Sequence, residues 1–215
     1  MRNKFIYFLY IVTSISSCDN TKTCLPVHST ISSVSPFDSI HYRQQRIIEK
    51  SIGLSDISKG YDSFALRINL QYGMLKKEKL VSITYHNGVY TGKIFGMSVD
   101  QTAEWVPIVE SWFSKEVTPI SGWKQFMDSI TAMGILSIRT QFEIPNWGVG
   151  VHNLGWGVEY ATCDSFRSYS HYSFLGNVKE IEEAARILKI IQYVETELET
   201  ELLSREYIEL EKGED

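Results

Sequence analysis

Asn87-Gly88, set between two runs rich in β-branched and aromatic residues, constrains this chain more than any other feature. A two-residue hairpin loop needs positive φ at both central positions, which Asn tolerates and Gly adopts freely. The flanking runs Leu80–His86 and Val89–Phe95 therefore read as neighbouring antiparallel strands. Upstream, Phe64, Leu66, Ile68, Leu70 and Tyr72 alternate with Ala65, Arg67, Asn69 and Gln71, the period of two expected of a strand. Leu66/Ile68/Leu70, Val81/Ile83/Tyr85 and the alternates of Val89 give the three strands one shared apolar face.

Farther along, Trp105, Ile108, Val109, Trp112 and Phe113 fall at helical spacing. Pro107 is tolerated in a first turn, so a short helix from about Glu104 is expected. Ser121 reads as the N-cap of a clearer helix carrying Trp123, Phe126, Met127, Ile130 and Met133 on one side, with Gly134 to close it. Lys124 and Asp128 make an i,i+4 pair on its polar side. Ile135–Ile144 reads as a strand stopped by Pro145, and an unusual loop from Asn146 to Gly157 follows, with two Trp and four Gly. Val158–Cys163 and Phe166–Phe174 make a second hairpin around Asp164-Ser165. Asn177, with Glu180 three residues on, has the form of a capping box. It opens a long helix to about Leu203 whose apolar face holds Ile181, Ala184, Ala185, Ile187, Leu188, Ile190, Ile191 and Val194. The order predicts an α+β domain: an antiparallel meander sheet with a central helix and a long C-terminal helix packed on one face.

The amino end carries a different signal. Arg2 and Lys4 precede thirteen uncharged residues, Phe5 to Ser17, whereas a spanning helix needs roughly 20. A basic start, a short apolar core and small residues at the end are the parts of a secretory signal peptide. Ile15-Ser16-Ser17-Cys18 resembles the lipobox of bacterial lipoprotein precursors. That resemblance implies a diacylglyceryl group on Cys18, cleavage before it and acylation of the new amino terminus, for example with palmitate. Over residues 60–200 the pattern also loosely resembles small bacterial envelope proteins with a tryptophan-plus-helix middle and a terminal helix, a likeness that brings no activity with it. The expected organisation is a signal peptide over 1–17, a lipidated tether over 18–36, an α+β domain over 37–203 and an acidic tail over 204–215. The implied location is a bacterial cell envelope.

Twenty-one basic against twenty-six acidic residues give a net charge of -5, which leaves no electrostatic case for nucleic acid. Without residues 1–17 the charge is -7, so anionic head groups repel the domain and attachment rests on the acyl chains. Loss of Cys18 to lipid leaves Cys24 and Cys163 as a candidate disulfide, since an envelope location permits one. No CxxC motif and no Cys/His cluster at metal spacing is present, and no cofactor is expected. Trp147, His152, Asn153 and Trp156 form a candidate ligand loop, because flat aromatic faces beside amides suit a sugar ring or a peptide side chain. A non-enzymatic binding module for an envelope protein or glycan is the leading expectation. An inhibitor or immunity-type protein against a secreted toxin is the alternative, favoured by the acidic charge. An envelope hydrolase is a second alternative; it requires His171, His152 or Cys163 to converge with a carboxylate.

Overall fold

The computed structural model describes residues 28–31, 36–72, 76–102, 106–148 and 154–203. Among them are seven strands: β1 His28–Ile31, β2 Phe64–Tyr72, β3 Lys77–His86, β4 Val89–Gln101, β5 Pro107–Val117, β6 Leu154–Thr162 and β7 Ser165–Tyr172. Three α-helices accompany them, α1 Pro36–Ser51, α2 Trp123–Ala132 and α3 Glu182–Glu197. The strands form one sheet in the order β1-β7-β6-β2-β3-β4-β5. Every pairing is antiparallel except β1 with β7. The fold is α+β, and the meander β2-β3-β4 lies where the alternation places it.

The first turn closes as its residues require, with φ of 50° at Asn87 and 83° at Gly88 joining the His86–Val89 pair. Its main core lies on one face of the sheet. Leu66, Ile68, Leu70 and Tyr72 of β2, Val81 and Ile83 of β3 and Ile94 of β4 meet Phe126, Met127 and Ile130 of α2 there. Ala184, Ile187, Ile190, Ile191 and Val194 of α3 complete it. α2 comes so close that the Trp123 ring lies where a Cβ on Gly92 would stand.

The opposite face is covered as well, by α1, a helix the sequence pattern does not announce. Its buried residues His41, Gln45, Ile48 and Glu49 follow helical spacing, with Ile52 just past its end, yet only Ile48 and Ile52 are apolar. Ile48 and Ile52 pack on Leu80, Phe95, Met97 and Val99. The two helices that the sequence announces, α2 and α3, share one face, and α1 takes the other.

Four expectations are corrected. The segment around Trp112 and Phe113 is not a helix but β5, paired with β4 from Pro107 to Val117. An irregularity at Ser98/Val99 shifts its register, and as an edge strand it shows apolar residues on both sides, which hides the period of two. Ile135–Ile144 forms no strand. Its carbonyls are met instead by side chains of β7: Arg167 donates to Leu136 (2.7 Å) and Ile138 (2.8 Å), and Tyr169 to Ile135. Asn177 does not cap α3, which begins at Glu182. Its amide group bonds both the N–H and the C=O of Gly148 (2.9 and 2.8 Å) and so holds the chain after Trp147. α3 ends at Glu197, short of Leu203, although Leu202 and Leu203 remain buried.

Gly92→Ala should destabilise the fold by about 1–3 kcal/mol through overpacking against Trp123. Combining it with Trp123→Ala should cost less than the two single changes added together, as chemical denaturation of all three variants would report.

Candidate functional site

Residues singled out from the sequence fall in different places. Cys18, Cys24, His152 and Asn153 lie outside the described residues. Trp156 belongs to β6, not to a loop, and is fully buried, so a ligand platform built on its face is corrected to a core position. Trp147 is half-buried, and its indole N–H donates to the Tyr172 carbonyl at 2.8 Å. His171 stacks among Trp147, Trp156 and Tyr169 at centroid distances of 5.0 to 5.8 Å. Burial holds its pKa down to about 4, so the imidazole is neutral at pH 7. Its Nε2 bonds to Arg139 O at 2.7 Å. Cys163 is half-buried in the β6–β7 turn. Six strand steps lead from Ser165 to His171, so the Cys163–His171 pair is roughly 20 Å apart at a strand's rise.

What the fold does bring together is a set of charges beneath α1. Arg46 of α1 pairs with Glu49 at 2.8 Å and with Glu159 of β6. Arg67 of β2 pairs with Glu49 at 2.5 Å and donates to the Ser55 carbonyl at 2.6 Å. Ser168 of β7 donates to Glu159 at 3.2 Å, and Asn69 donates to Gln45. His41 sits over Gly157, where a Cβ would come within 3.2 Å of its Nε2. Burial, reinforced by the Glu159 carboxylate, pushes Glu49 up to about 8, against the pull of Arg67 and Arg46. Burial lowers His41 to about 4. The cavity among these side chains has a volume of about 10 Å³, room for one water and for no substrate.

Nearby on the same face, burial drives the Glu78 carboxyl up to about 8, offset in part by a hydrogen bond with Gln71. Among the described residues no group of three or more His, Cys, Asp or Glu is placed to hold a metal ion. No local sequence pattern assigns a role to Glu159, Glu49, Arg46 or His41. Only the packing of α1 on β2 and β6 makes them one network.

Among the described residues, β5, at the end of the sheet, carries three exposed large apolar side chains. Phe113 is 66% exposed, Ile108 50% and Trp112 47%. Trp112 leans on Phe95 on the α1 side, with centroids 6.1 Å apart. Phe113 lies over Gly96 on the other side. One edge of β5 pairs with β4, and among the described residues no strand lies beside the other.

No family model matches the chain, and comparison with curated proteins and with solved structures finds no match. Function is therefore argued from the chain's own residues.

The titrations predict a stability plateau. Glu78 starts from an ordinary value of 4.5 and stands near 8 in the fold, so its contribution is full below 4.5 and is lost as pH rises to 8. His41 and His171 start from 6.5 and stand near 4; their contribution is full above 6.5 and is lost as pH falls to 4. The two trends oppose each other between 4.5 and 6.5, and stability should fall on either side. Glu78→Gln should raise Tm at pH 8.5, by the equivalent of about 1–3 kcal/mol, and change it little at pH 5. Thermal melts of both proteins at the two pH values would check this.

Proposed function

We propose that this protein is a lipid-anchored, non-enzymatic docking module of a bacterial envelope, held to a membrane through Cys18 and taking a protein partner along β5. The β5 edge carries the docking part. An unpaired strand edge presents a row of N–H and C=O groups, a template onto which another strand can add. Beyond the irregularity at Ser98/Val99, β5 pairs regularly with β4 from Ser111 to Val117 and shows Trp112 and Phe113 on opposite faces. Aromatic residues of this kind anchor protein interfaces.

The anchor part is supported by the lipobox-like Ile15-Ser16-Ser17-Cys18 and the basic, apolar stretch before it. No helix among the described residues is long and apolar enough to cross a membrane. A charge of -7 after removal of residues 1–17 favours a basic partner; a secreted toxin would be one such partner.

Two measurements test the halves separately. Metabolic palmitate labelling should mark the protein, and Cys18→Ala should lose both the label and the membrane fractionation; a labelled variant would overturn the anchor. A photo-crosslinking residue in place of Phe113 should give discrete adducts in the membrane fraction. The same group in place of Val89, also exposed (61%) but at the β3–β4 turn, should give none. Absence of adducts at Phe113 would overturn docking along β5.

A further inference from the structure

We infer that the strand seated on the β5 edge is β5 of a second copy, joining two seven-stranded sheets antiparallel about a two-fold axis at Ser114. This rests on the docking reading above and names its partner. A two-residue turn makes His86–Val89 a hydrogen-bonded pair, so the Val89 N–H and C=O face β3. Alternation along β4 then turns Gly92, Ile94, Gly96 and Ser98 toward β5. Their partners are Val117, Lys115, Phe113 and Ser111 in that order. The N–H and C=O groups of Trp112, Ser114 and Glu116 consequently point outward.

A two-fold axis normal to the sheet keeps each face with its own kind, so opposed residues must lie on the same side. Trp112, Ser114 and Glu116 lie on the α1 side; Ser111, Phe113, Lys115 and Val117 lie on the α2 and α3 side. Pairing about Ser114 uses the whole span 111–117. It sets Ser114 against Ser114, Trp112 against Glu116, Phe113 against Lys115 and Ser111 against Val117. All three outward residues meet outward residues, and no like charges stand opposed. Phe113 and Lys115 form a non-hydrogen-bonded pair, the closer kind, where an ammonium reaches a ring face. The neighbouring registers are worse. An axis at Lys115 opposes lysine to lysine and one at Glu116 opposes glutamate to glutamate, while axes at Phe113 and Trp112 run into the irregularity at Glu110 and leave only five and three regular residues in the ladder. Like charges directly opposed on a sheet destabilise it. The edge is thus self-complementary in one register.

Sedimentation of the full chain in a mild detergent should give twice the monomer mass. Ser114→Pro removes an outward N–H that β4 does not use and is tolerated on an edge strand. It should give the monomer mass with unchanged circular dichroism and Tm. Phe113→Lys should also give the monomer mass, because it sets lysine against Lys115 of the other copy. Adding Lys115→Glu to that variant should restore the double mass, a rescue that only this register supplies. A monomeric wild-type chain, a dimeric Ser114→Pro variant or a failed rescue would each overturn the inference. A monomeric chain whose crosslinker at residue 113 still captures a different envelope protein would overturn the second copy as occupant and leave docking along β5 standing. No adduct of any kind would overturn both.

Discussion

Strand β2 sits in the middle of the sheet and is buried on both faces, and those faces make opposite demands. Leu66, Ile68, Leu70 and Tyr72 require only apolar cover, which α2 and α3 supply. Arg67 and Asn69, at 4% exposure each, require partners. An unpaired arginine in such a position would cost several kcal/mol, so whatever covers that face must bring carboxylates and amides in register. Helix α1 does so with Glu49 and Gln45, and β6 adds Glu159. The position of α1 is therefore fixed by charge pairing at its centre and by Ile48 and Ile52 toward its end.

A helix held in this way differs from one held by a greasy stripe. Buried ion pairs contribute little net stability against their desolvation, yet breaking one is expensive. The network accordingly specifies where α1 lies more than it strengthens the fold. The cavity beneath α1 admits one water, which gives these carboxylates a structural part in spite of the perturbed Glu49. Exposed aromatic side chains lie elsewhere, on β5, which ends the sheet among the described residues.

Particular residues show what could be read in advance. Asn87-Gly88 and the alternation through Leu66, Ile68 and Leu70 placed the meander, because turn chemistry and period two are local properties. The apolar faces of α2 and α3 were equally plain, since Phe126/Met127/Ile130 and Ile187/Ile191/Val194 repeat at helical spacing. α1 was missed because its inward face is half polar, and hydrophobic periodicity cannot see a helix whose anchors are His41, Gln45 and Glu49. β5 was mistaken for a helix because both of its faces are exposed, so nothing forced its apolar residues into alternation. Trp156 looked like loop aromatic surface only because its neighbouring glycines suggested a turn. The charged network was invisible because Glu49, Arg67 and Glu159 are far apart along the chain.

By itself, then, the amino-acid order determined the hairpins, two of the three helices, the α+β class and the lipobox-like amino end, all of which depend on residues within a turn or two of each other. Tertiary structure alone decided that α1 covers the polar face, that Glu49 and Glu159 share Arg46, and that β5 is left at the sheet's end with Trp112 and Phe113 in the open. The reason is that charge pairing and edge position depend on strand order, and strand order is settled by how whole elements bury one another rather than by any short stretch of chain.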